Sequence, residues 1–96
     1  MYLHIGQGAV LYDKEIIGIF DLDKTTVSKK TRSFLNEKEK SGKTRYIGTD
    51  LPQSFIITQQ EDREQIFITQ TAGITLKKRM KQIHEQEEYH GTATRV

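Results

Sequence analysis

Three short runs of β-branched and aromatic residues constrain the fold most strongly. They are Ile16–Phe20, Ser54–Thr58 and Gln65–Thr69. Each run is too short for a stable helix, and its residue types favour a pleated sheet. The polar stretch 59–64 predicts a turn that joins the second and third runs into a hairpin, and Ile16–Phe20 is predicted to be a buried central strand. The core is therefore expected to form around a β-sheet.

Two further regions add strands to this prediction. Tyr2–Ile5 alternates in polarity and ends at Gly6-Gln7-Gly8, which leads into Ala9–Tyr12, so the start of the chain is predicted to form a hairpin. Thr44–Ile47 is also expected to be extended. The result is five or six short strands in a mostly antiparallel sheet.

A first helix is predicted between the strands Ile16–Phe20 and Thr44–Ile47. Apolar groups recur at helical spacing at Val27, Thr31, Phe34, Leu35 and the aliphatic stem of Lys38.

The ends of this first helix carry their own signals. Ser28 or Thr26 is expected to cap the N-terminus, and Ser41-Gly42 to end the helix.

A second helix is predicted near the end of the chain, because Leu76, Met80 and Ile83 lie at i, i+4 and i+7. It is expected to begin near Thr71 or Thr75. Beyond Glu88 no period is visible, and the end of the chain is expected to fray.

These elements predict an α+β fold with one central helix and a C-terminal helix. A chain of 96 residues supports a single domain. We place that domain at residues 1–84, followed by a charged tail at 85–96. With only 34% hydrophobic residues the core is expected to be thin, so one sheet face is predicted to meet a helix and the other a second copy of the chain.

Charge is unevenly distributed along the chain although the net charge is only +2. Residues 1–23 carry a net −3, residues 24–50 a net +5, residues 51–70 a net −2 and residues 71–96 a net +2. Basic blocks separated in this way favour a positive surface if the fold brings them together, and otherwise form solvated faces.

One segment resembles a catalytic motif. Asp21-Leu22-Asp23-Lys24-Thr25 follows an apolar strand, as the nucleophile motif of haloacid dehalogenase phosphatases does. The chain is short for such an enzyme and has no later Gly-Asp-x-x-x-Asp-like cluster, so a solvated turn is the preferred interpretation. The histidines also lack metal-ligand spacing. We expect no enzymatic activity, catalytic residue, metal, cofactor or small-molecule substrate.

The chain is expected to be cytoplasmic. It has no cysteine, which suits a reducing compartment, and its longest apolar run is far below the roughly 20 residues that cross a bilayer. No membrane partner is expected.

Four segments in order resemble successive motifs of a known family. They are Met1–Gly6, Lys14–Asp21, Leu51–Thr58 and Thr75–Arg79, and the resemblance covers about residues 1–80. The family is the RemA/RemB group of small bacterial regulators of extracellular matrix (biofilm) genes.

This resemblance implies a non-catalytic transcription regulator that forms a homo-oligomer, possibly a ring, and binds double-stranded DNA through basic side chains. The RemA branch has an arginine-rich loop where this chain has Asp50-Leu51-Pro52-Gln53, which contains no basic residue. The predicted DNA-binding residues are Lys14, Arg45, Lys77, Lys78 and Arg79. The alternative is a protein-interaction module of the same oligomeric fold without direct DNA binding.

Overall fold

The computed structural model describes residues 1–22 and 28–94, with side chains up to residue 86. It confirms an α+β fold. The elements in chain order are β1 (Tyr2–Gly6), β2 (Ala9–Tyr12), a 3-10 turn (Asp13–Glu15), β3 (Ile16–Asp21), α1 (Lys29–Lys40), β4 (Thr44–Ile47), β5 (Ser54–Gln60), β6 (Arg63–Thr69) and α2 (Gly73–Thr94).

The strands form two sheets. β1 and β2 make a hairpin of their own, and the other four strands form a sheet in the order β3-β5-β6-β4. The β5–β6 hairpin is antiparallel as predicted, whereas β4 runs parallel to β6. This parallel pair arises because α1 crosses the sheet between β3 at one edge and β4 at the other.

The prediction that Ile16–Phe20 is a buried central strand is wrong, because β3 lies at an edge of the four-stranded sheet. A bulge explains the misleading apolar run. Ile16 is opposite Thr58 and Gly18 is opposite Ile57, so Ile17 has no partner on β5 and is 63% exposed. The extra residue interrupts the alternation of β3 side chains between the two faces of the sheet.

One face of the four-stranded sheet is covered by the β1–β2 hairpin and by α2. Leu3, Ile5, Ile56 and Leu76 meet there and are fully buried. The hydroxyl groups of Thr69 and Thr71 both donate to the Ile5 carbonyl oxygen, at 2.5 and 3.1 Å. These bonds satisfy a backbone acceptor that the hairpin would otherwise bury unpaired.

The opposite face, where a second copy of the chain was expected, is covered by α1 of the same chain. Phe55, Ile66 and Ile68 form its buried cluster, and α1 adds only half-buried side chains. Ser28 caps the helix, and its hydroxyl accepts from the Thr31 amide at 3.2 Å.

Helix α2 begins at Gly73, between the two starts that the sequence predicted. Leu76 is fully buried, and Met80 and Ile83 contact the same cluster, which confirms the predicted apolar stripe. The helix continues to Thr94, whereas an aperiodic end was predicted beyond Glu88. No helix in the described part of the chain is long and apolar enough to cross a membrane.

Candidate nucleic-acid interface

The three consecutive cations of α2 point in three directions, because successive residues on a helix are rotated by about 100°. Lys77 faces β3, and its ammonium lies 3.8 Å from the Asp21 carboxylate. Arg79 faces the hairpin and donates from Nη1 to the His4 carbonyl oxygen at 2.9 Å. Lys78 is exposed on the outer side. All three cations are exposed, but Lys77 and Arg79 already have protein partners.

Lys14 lies in the 3-10 turn before β3 and is exposed. The residue before it is buried: the Asp13 carboxylate accepts from the terminal ammonium of Met1 at 3.0 Å. Burial raises the pKa of Asp13, but the hydrogen bond and charge of that ammonium outweigh the burial and leave the pKa below its ordinary value. This ion pair holds the turn that presents Lys14.

Arg45 is exposed in β4, at the opposite edge of the sheet from β3 and Lys77. Three strand spacings separate these edges, or about 14 Å at about 4.8 Å each. A single subunit therefore does not bring the five predicted DNA-binding residues into one patch.

The structure adds two basic side chains that the sequence analysis did not assign to the site. Lys81 and His84 line an open groove between α2 and β3 together with Lys77 and with apolar residues that include Ile16, Ile19 and Met80. Glu85 also lines the groove, and its carboxylate lies 3.9 Å from the Lys81 ammonium. The signal was present in the sequence, since 77, 81 and 84 repeat the core spacing of 76, 80 and 83 shifted by one residue.

Asp21, from the phosphatase-like motif, ends β3 and lies against the start of α2. A Cβ placed on Gly73 would collide with Asp21 Oδ1. A carboxylate at a helix N-terminus stabilises the helix dipole, which gives Asp21 a structural role beside Lys77. Asp23 and Thr25 lie outside the described residues. Among the residues that are described, no group of three or more metal-ligating side chains occurs.

Two cross-strand rows connect the edges of the sheet. On the α1 face, Tyr46, Ile68, Phe55 and Phe20 lie side by side on successive strands. The two ends of this row, Tyr46 and Phe20, are 55% and 44% exposed. Phe20 was predicted to lie in a buried strand, and this is wrong, although its ring does stack on Phe55 with ring centroids 5.0 Å apart.

The second row lies on the face covered by α2 and the hairpin. It consists of Arg45, Phe67, Ile56 and Ile19, so Arg45 ends the row at the β4 edge. On the other face, burial and then the nearby Glu39 carboxylate raise the pKa of Tyr46, whose hydroxyl stays protonated at neutral pH. The β4 edge thus presents a cation on one face and a neutral phenol on the other.

The chain is 32% identical to extracellular matrix regulatory protein B of Bacillus subtilis (strain 168) over 85 residues, which are 88% of this chain and 96% of the relative. The chain belongs to the RemA/RemB family. No family model matches it. Because the alignment spans 85 residues, the RemA/RemB relationship extends over most of the strands and helices.

Proposed function

We propose that this RemA/RemB-family protein is a non-catalytic regulator of extracellular matrix gene transcription, and that it binds duplex DNA as a homo-oligomer. The matrix role is taken from the name of the Bacillus subtilis relative. The observation that carries the rest of the proposal is the exposure of large apolar side chains at both edges of the sheet, namely Ile17 and Phe20 on β3 and Tyr46 on β4. Apolar groups at unpaired edges favour association with a further strand.

The separation of the cations supports an oligomeric DNA ligand. One subunit has a net charge of only +2 and presents Lys14, Arg45 and Lys78 at separate places. Repetition of these contacts around an assembly multiplies the number of phosphates that are neutralised, and linked sites raise affinity by about 100-fold or more. Specificity would then come from DNA shape and from the spacing of subunits.

The test begins with light scattering to measure the size of the assembly, followed by mobility-shift titration of the same sample. Matrix-gene promoter DNA and random duplex DNA are compared at two salt concentrations. We expect a large oligomer whose affinity falls steeply with salt. Lys14→Ala/Lys78→Ala should weaken binding about tenfold or more, without a change in size. The salt slope should become shallower by about one for each phosphate that is no longer neutralised.

The matched control is Lys40→Ala, which removes an exposed lysine at the end of α1. It should leave DNA affinity close to that of the unmodified protein. Equal losses in the control and in the Lys14/Lys78 variant would contradict a defined DNA surface.

The protein-interaction module is the second candidate, and a specific observation favours it. Lys77 is beside Asp21 and Arg79 is bonded to the His4 carbonyl, so two of the predicted DNA contacts already have protein partners. An intact oligomer that fails to shift either DNA at low salt would support this candidate and contradict DNA binding.

A further inference from the structure

We propose that neighbouring subunits join edge to edge, with β4 of one copy paired to β3 of the next, and that a DNA-contact site is completed across this junction. The proposal rests on the homo-oligomer of the proposed function. It names the surfaces that meet and the residues that each copy contributes.

The directions of the strands favour this junction. β3 is antiparallel to β5, β5 is antiparallel to β6, and β4 is parallel to β6, so β3 and β4 run the same way at opposite edges. Joining β4 to the β3 of the next copy therefore repeats one subunit orientation. Such a head-to-tail contact closes into a ring when the rotation between subunits closes.

The lengths of the edges also match. β4 has the four residues Thr44–Ile47, and the regular part of β3 after the bulge has the four residues Gly18–Asp21. Continuing the existing rows places Tyr46 of one copy directly beside Phe20 of the next. Two aromatic rings that are half exposed in a single subunit then cover each other, which removes apolar surface of both copies from water.

Charges at the two edges are complementary. In the same register Ile47 lies beside the next copy's Asp21, and Arg45 is a diagonal neighbour of that Asp21 at about 7 Å. The Asp21 carboxylate is exposed and Arg45 is exposed, so both are available to pair. The arginine side chain is long enough to span this diagonal, and pairing with Asp21 of the next copy would explain why β4 carries Arg45.

The junction also completes a basic site. Lys77 lies 3.8 Å from Asp21, so Arg45 of one copy and Lys77 of the next would flank one carboxylate and leave one positive charge in excess. Within one subunit these two cations lie at opposite edges. Their combination as a phosphate contact would therefore exist only between copies, once at each junction.

Cysteine cross-linking tests the junction directly, because the chain has no cysteine of its own. Tyr46→Cys and Phe20→Cys proteins are mixed, re-equilibrated and oxidised with diamide. Directly opposed residues in a sheet lie within the Cα–Cα range of about 4.4–6.8 Å that a disulfide accepts. We expect a covalent dimer from the mixture and no dimer from either protein alone.

The control replaces the Phe20 partner by Val10→Cys, an exposed position on β2. It should give no dimer with Tyr46→Cys. Equal cross-linking of the control, or no cross-linking of the Tyr46/Phe20 mixture within a well-formed oligomer, would overturn the junction.

Charge exchange provides a second test that does not remove the Phe20 ring. Arg45→Asp places two like charges at the junction and should weaken association about tenfold or more. The double variant Arg45→Asp/Asp21→Arg restores opposite charges and should form oligomers close to the size of the unmodified assembly. Failure of the double variant to recover, when it is as well folded as Arg45→Asp alone, would contradict the Arg45–Asp21 contact.

DNA titration separates this proposal from the proposed function. Arg45→Ala and Lys77→Ala should each reduce affinity about threefold to tenfold, and retained affinity in both would contradict the shared site. Cross-linking without any DNA binding would contradict the DNA-binding function but support the proposed junction. DNA binding by an oligomer that does not cross-link would support the DNA-binding function but contradict the proposed junction.

Discussion

The two faces of the four-stranded sheet are covered in different ways. On one face the hairpin and α2 bring Leu3, Ile5 and Leu76 into full burial against β5. On the other face α1 contributes no fully buried residue, and Phe20 and Tyr46 remain partly in water. The difference shows that full burial of apolar side chains is concentrated on the hairpin and α2 side of the sheet. The closed face holds the fold together, whereas the open face leaves the apolar side chains of Phe20 and Tyr46 exposed at the two edges, where the proposed junction would form.

The largest expected effect comes from making the same leucine-to-alanine change on each of the two faces of the sheet. Leu76→Ala removes a fully buried side chain and should lower the free energy of unfolding by about 2–5 kcal/mol. Leu35→Ala removes the same atoms from a half-buried position on α1 and should cost about half as much or less. Urea unfolding of both variants measures the contrast, and equal losses would show that the faces contribute equally.

The sequence predicted the local structure better than the arrangement of its parts. Ser28 and Gly42 mark the ends of α1 because capping depends on neighbouring residues alone. The edge position of β3 was missed, because an apolar run does not report which strands lie beside it and a bulge at Ile17 leaves no clear composition signal. The two-sheet division and the parallel β4 likewise depend on contacts between distant residues.

The candidate site shows the same limit. Helical rotation alone could have shown that Lys77, Lys78 and Arg79 diverge, but not that Asp21 or the His4 carbonyl lies in front of two of them. Those partners come from strands more than 50 positions away. Exposure of Phe20 and Tyr46 also depended on the strand order, since each would be covered in a central strand.

A glycine comparison probes how closely the hairpin fits the closed face. Gly6 has φ +118°, and a Cβ there would come 2.9 Å from Thr71 Oγ1 and 3.2 Å from Thr69 Oγ1. Gly6→Ala combines backbone strain with displacement of the two hydroxyls that hold Ile5, and should cost about 2–3 kcal/mol.

Gly8→Ala is the matched variant. Gly8 also has a positive φ of +76°, but no atom of the described residues lies within 4 Å of its Cβ position, so strain alone applies and about 1 kcal/mol is expected. Thermal unfolding distinguishes the pair. A Gly8 loss as large as the Gly6 loss would mean that backbone strain, rather than docking on the sheet, determines the effect.

A pH-dependent prediction concerns the ion pair between the Met1 ammonium and Asp13, which joins the two ends of the hairpin. The pKa of Asp13 is lower in the folded chain than its ordinary value of 3.8, so its charge stabilises the fold above that pH. This contribution should disappear as the pH falls below about 4 and through the folded pKa. Asp13→Asn should cost about 1–2 kcal/mol at neutral pH and flatten the acid limb of the stability curve. If the loss of stability at low pH were unchanged in Asp13→Asn, the Met1–Asp13 ion pair would not be the cause of that loss.

The contacts of Ile5 govern when the chain can fold during synthesis. Its carbonyl accepts from Thr69 and Thr71, and its side chain is buried with Leu76, so the first hairpin made is completed by residues made at least 64 positions later. Contacts of such long sequence separation slow folding because a large loop must close before they form. We therefore expect the hairpin to remain undocked during synthesis, with Leu3 and Ile5 exposed to water, until α2 has left the ribosome. Folding is then a late event that involves nearly the whole domain at once.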